Sequence, residues 1–193
     1  MKAIPLSLLL IVLAVPALAH TGQGDANGFV HGLLHPLTGP DHLLAMLAVG
    51  LWSGFVLPDR FWLGAATFMS AMAAGAVLSW AGVPLPGVEI LIAGSVIVFG
   101  LLIVASRRSQ LPMVTQASLA MIGLFAACHG QAHATEATGT IVLYLGGFLI
   151  STAALHIAGI ALARSAAQSA AARIMQGGLG GLIAASGLYM NIG

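Results

Sequence analysis

Long apolar runs separated by short polar breaks make up most of the chain, in place of the periodicity of elements with one wet face. Six of them, at residues 43–57, 61–83, 89–105, 111–128, 140–163 and 171–190, predict six transmembrane helices. Pro58, Pro84, Pro86 and Pro112 punctuate their ends, where a missing N–H removes no helical bond. The connections are short, so neighbouring helices are expected to run antiparallel. A further run, from 6 to 15, is too short to span a bilayer. It follows Lys2 and ends in Ala17-Leu18-Ala19, the pattern of a cleaved secretory signal. Residues 1–19 are therefore read as a signal peptide and 20–193 as one all-α integral membrane domain of six helices, with His20 as the first mature residue.

Composition agrees with lipid as the solvent. The 193 residues are 59% hydrophobic and 6% charged, and the mean hydropathy of +1.03 excludes a soluble globule. The 25 glycines suit close helix packing in a bilayer, with Gly177 and Gly181 as one expected packing pair. A net charge of +1 offers no face for nucleic acid. Cys128 stands alone, so neither an internal disulfide nor a cysteine-cluster metal site is expected. Without Lys2 the positive charges are Arg60, Arg107, Arg108, Arg164 and Arg173, all in alternate connections. By the positive-inside rule those connections face the cytoplasm, which puts both mature termini outside.

The other ionisable residues crowd toward the opposite face. His20, Asp25, His31, His35, Asp41, His42, Glu89, His129, His133 and Glu136 fall at or near the outer ends of spans, whereas Asp59 and His156 do not. Imidazole and carboxylate share the ability to ligate divalent metals. The segment 31–46 reads as a broken helix: Pro36 is expected to push His35 out of the helical region, Gly39 permits a turn, and Pro40 opens a new helix bearing Asp41 and His42. Interrupted helices are where transporters place ion sites, and His35, Asp41 and His42 are the first candidate ligands. His31, one turn earlier, and His20 are candidates for the entrance. A second set, His129, His133 and Glu136, falls at i, i+4 and i+7 and shares one face if the helix continues. Glu89 is either a helix-capping acid or a vestibule ligand. His156, deep in the fifth span, is either an inner relay or a histidine bonded to a neighbouring carbonyl. Met46, Met69, Met72 and Cys128 are read as packing.

The run from His35 through Asp41 and His42 to Gly50, HPLTGPDHLLAMLAVG, resembles the signature of the HupE/UreJ family of nickel and cobalt permeases. The resemblance extends in outline over the whole chain. It implies secondary uptake of Ni²⁺ or Co²⁺ across the inner membrane to supply hydrogenase, urease or cobalamin synthesis. By matching position it makes His35, Asp41 and His42 the core metal-handling residues, with His129 and His133 as the second group. No prosthetic group is expected, the metal being cargo, and the residues alone do not separate Ni²⁺, Co²⁺ and Zn²⁺. No GxxxxGK[ST] loop is present, so no nucleotide-binding subunit is evident, and a homo-oligomer stays open. The rival reading is an intramembrane zinc-dependent hydrolase using the same cluster. Gly130 stands where the zinc-protease helix motif has its glutamate base, so Asp41 or Glu136 would have to serve, and no electrophile clamp is evident.

Overall fold

The structure is a computed structural model that describes residues 25–192 apart from 109 and 138. The expected signal peptide and His20 lie outside the described residues. Seven helices follow one another: α1 (Asp25–Thr38), α2 (Pro40–Val56), α3 (Leu63–Trp80), α4 (Val88–Ala105), α5 (Pro112–Glu136), α6 (Ile141–Ala166) and α7 (Ala172–Ile192). Helices α2 to α7 coincide with the six apolar runs. Four of them, α3 to α6, are long and apolar enough to cross a membrane; α2 is apolar but has 17 residues.

Helix α2 is the core of the bundle. It is buried on every side from Ala48 to Val56, packed among α6, α4 and α3. A helix apolar all round belongs in the middle of a bundle.

Its neighbours reach it through missing side chains. A Cβ on Gly50 would strike the His156 carbonyl, and one on Gly159 would strike the Leu47 carbonyl. The same reciprocal arrangement joins α3 to α5 at Gly75 and Gly130, and α4 to α7 at Gly100 and Gly180. Small residues let backbones touch where lipid supplies no hydrophobic drive between helices. The register gives the directions. Gly50 faces 156–159 and Gly54 faces 160–163, so α2 and α6 are parallel. Gln176 meets Ile103 and Ser106 while Gly187 meets Ile97, so α4 and α7 are antiparallel. Both directions match six alternating traversals.

Two expectations are corrected here. Gly177 and Gly181 pack against nothing within 4 Å, and α7 meets α4 through Gly180 and Gly187 instead. The two pairs sit on different faces of one helix, which spacing alone does not distinguish. Pro36 lies inside α1, so His35 remains helical and the break comes at Gly39. The bias a proline imposes on its predecessor is overridden because α1 ends only a turn later, where the Thr38 hydroxyl donates to the His35 carbonyl at 3.0 Å. Helix α5 continues past Cys128 to Glu136, which meets the condition for His129, His133 and Glu136 to share a face; Gly130 serves close approach to Met72 rather than a turn.

Gly159→Val should lower the stability of the purified protein by about 1–3 kcal/mol or more through overpacking, whereas Gly177→Val should leave it nearly unchanged. Thermal unfolding midpoints in a neutral detergent check both, and equal shifts would contradict the packing described.

Candidate metal site

The site begins at Gly39, whose extended backbone (φ −87°, ψ 114°) is followed by Pro40 at the start of α2, so Asp41 and His42 occupy the first turn. Asp41 Oδ1 accepts from the His42 backbone N–H at 2.9 Å and pairs with the His42 ring Nδ1 at 2.8 Å. A carboxylate oxygen accepts, so the ring proton sits on Nδ1 and Nε2 is left as the lone-pair nitrogen. That Nε2 is buried without a hydrogen-bond partner.

The same logic repeats on two other helices. In α4 the Ser95 hydroxyl donates to the Ile92 carbonyl at 2.6 Å, so it accepts from His129 Nε2, 3.1 Å away on α5. The buried Nδ1 of His129 is then the bare nitrogen. In α6 the Thr152 carbonyl accepts from His156 Nδ1 at 2.8 Å, leaving Nε2 buried and bare. Three histidines thus have one nitrogen committed to the protein and the other buried and bare, as in imidazoles whose second-shell partners orient them for a metal.

His133 lies one turn beyond His129, with neither ring nitrogen hydrogen-bonded. Its Nδ1 is 3.5 Å from Glu136 Oε2, and that oxygen is 3.1 Å from His35 Nε2, tying the end of α5 to α1. One ligand atom each from His35, His42 and His133 lie within 4.8 Å of one another. Ligands about 2.1 Å from a metal in a tetrahedral set are about 3.4 Å apart, so the set would close on an ion by moves of up to about an ångström each. Leaving a buried polar group unpaired costs about 1–3 kcal/mol, and a coordinated cation would satisfy several such nitrogens together.

The rings form a file running inward. Centroid separations are 5.8 Å from His31 to His35, 4.8 Å from His35 to His133, 4.4 Å from His133 to His42 and 4.9 Å from His42 to His129. The Phe68 ring then lies 5.6 Å from His129 and 5.1 Å from His156. The file starts at exposed His31 and half-buried His35, and every ring beyond them is buried, at 2% for His133, 9% for His42, 0% for His129 and 1% for His156.

The structure therefore gathers His31, His35, Asp41, His42, His129, His133 and Glu136, and sets His156 one aromatic ring deeper. It does not bring in Glu89, which is exposed in the first turn of α4. Asp41 and Glu136 face histidines, so both orient imidazoles. Met46, Met72 and Cys128 are core residues, as expected. Sequence reasoning missed Ser95 and Phe68, since nothing local marks a serine or phenylalanine in an apolar helix as facing a histidine on another. It also left Gln131 unassigned. That residue accepts from the Leu85 N–H at 2.6 Å and donates to the Val83 carbonyl at 2.9 Å, pinning the α3–α4 connection over the cluster. At Gly130, a Cβ would strike the Met72 carbonyl, so the glutamate base of the zinc-protease helix has no room there.

A family model described as HupE / UreJ protein matches residues 8–190 of the chain. Protein HupE of Rhizobium leguminosarum bv. viciae is 36% identical over 200 residues, covering 100% of both chains. No solved structure matches.

Proposed function

Because the chain belongs to the HupE / UreJ family, we propose that it is a secondary transporter carrying Ni²⁺ or Co²⁺ from the periplasm across the bacterial inner membrane, to supply metalloenzyme or cobalamin assembly. The observation that carries this reading is the file of imidazoles with bare, buried nitrogens leading inward from exposed His31. The ion exchanges water for imidazole in steps, at His35, His42 and His133 first, then at His129, and last at His156 beyond Phe68. Sites of few ligands suit passage, since a closed cage would hold the ion. In this reading α2 to α7 are the six spans, 1–19 is a cleaved signal, and the arginine-bearing ends are cytoplasmic.

Those ends support that orientation. Arg164 Nη1 donates to the Pro58 carbonyl at 3.1 Å and Arg108 Nε to the Phe55 carbonyl at 3.2 Å, at the end of α2 opposite His42. The sequence holds no nucleotide-binding loop, so energy comes from a partner or from ion gradients and the membrane potential. No observation favours the hydrolase.

The test is accumulation of labelled Ni²⁺, Co²⁺ and Zn²⁺ at trace concentration by cells expressing the wild type, His133→Ala or an empty vector, with membrane levels matched by immunoblot. Uptake above vector in the wild type and lost in His133→Ala is expected, and the ratio of ions gives the preference. Wild-type accumulation equal to vector for all three ions would sink the permease reading.

A further inference from the structure

At the end of the bundle remote from the histidines, a cavity of ≈ 340 Å³ is lined by Phe55, Arg107, Arg108, Ala167, Ala172, Arg173 and Gln176. That is on the order of ten times a water molecule's share of liquid volume. Three arginines line it, two from the α4–α5 connection and one from the first turn of α7, with no carboxylate among the lining residues. The ion pairs among the described residues are all histidine with acid, and Asp59, in the α2–α3 connection, pairs with none of the arginines.

Backbone carbonyls hold two of the arginines in place while leaving most of their N–H groups unused. Arg108 gives Nε to the Phe55 carbonyl, and Arg173 gives Nη1 to the Ser106 carbonyl at 3.0 Å. Buried Gln176 donates to that same Ser106 carbonyl at 2.9 Å and to the Ile103 carbonyl at 2.6 Å, so these acceptors are already in use. Each guanidinium carries five N–H donors in a fixed fork, and the Arg107 side chain has no hydrogen bond among the described residues. Ala172, the first residue of α7, also lines the cavity, which adds the positive end of a helix dipole.

We propose that this cavity binds a phosphate group, as a free anion or as the headgroup of an anionic phospholipid. Forked guanidinium donors match phosphate oxygens in pairs, and basic pockets between helices at a cytoplasmic face are suited to phospholipid headgroups. Binding relieves the mutual repulsion of three like charges and supplies acceptors to the unused N–H groups. The site stands on its own geometry and does not depend on what the histidines carry.

The test uses the full chain purified in an uncharged detergent. One arm compares sodium phosphate with sodium chloride at matched ionic strength. The other compares phosphatidylglycerol with phosphatidylcholine in mixed micelles. The wild-type unfolding midpoint is expected to rise by about 4 °C or more with at least one probe. A shift with phosphate alone identifies the free anion, and one with phosphatidylglycerol alone identifies the lipid. R107Q/R173Q should lose the shift and R60Q should keep it. Should R107Q/R173Q not fold, R107K/R173K retains the charge without the fork and should raise the half-saturating concentration at least about threefold. No wild-type shift with either probe, or an equal shift in the cavity variant, overturns the site.

Discussion

Uptake of labelled Ni²⁺ and Co²⁺ is expected to fall to the empty-vector level when His42 is replaced by alanine. His42 is the junction of the file, since its ring lies 5.8 Å from His35, 4.4 Å from His133 and 4.9 Å from His129. Removing it takes a ligand from the outer set and also separates that set from His129. Asp41→Asn is a gentler change, because the side chain keeps its shape but loses the charge that holds the His42 proton on Nδ1. A second-shell loss of this kind typically costs about 10–100-fold in metal affinity, so Asp41→Asn should need correspondingly more metal for the same initial rate. If Asp41 is itself a ligand, both variants fall to vector level and the difference between them disappears. A His42→Ala protein transporting like the wild type would remove the imidazole file from the mechanism.

Which parts of this arrangement the sequence reveals depends on how local the cause is. Apolar runs mark α2 to α7 because exclusion from water is a property of each segment, and the i, i+4, i+7 spacing of His129, His133 and Glu136 is fixed by one helix. Gly39 and Pro40 mark the break because a turn residue and a helix-opening proline act locally, whereas the bias of Pro36 against a helical His35 is absorbed by the last turn of α1. What joins Ser95 to His129, or sets Phe68 between His129 and His156, is contact between helices far apart in sequence. That contact is set by which glycines meet which backbones, as Gly130 does Met72. Gly180 and Gly181 show the limit clearly, being adjacent in sequence yet one packed and the other open.

His156→Ala is expected to separate binding from passage. The bare Nε2 of His156 is the deepest ligand in the file, and Phe68 lies between it and His129. An ion leaving His129 has no other imidazole beyond that ring, and a bare charge in an apolar interior is unfavourable. Without His156 the barrier past Phe68 should rise enough to slow Ni²⁺ uptake about 100-fold, a change of about 2.7 kcal/mol in activation free energy. Equilibrium binding to the outer set should persist, because His35, His42 and His133 are untouched. Initial uptake rates in cells, paired with calorimetric Ni²⁺ titration of the purified protein, measure the two separately. Normal uptake in His156→Ala would show that the ion leaves by another route, whereas loss of binding together with uptake would place His156 in the outer site's support rather than downstream of it. A His156→Gln protein fills most of the space the imidazole occupied, so a rate as low as that of His156→Ala would assign the effect to the missing ligand nitrogen and not to a collapsed core.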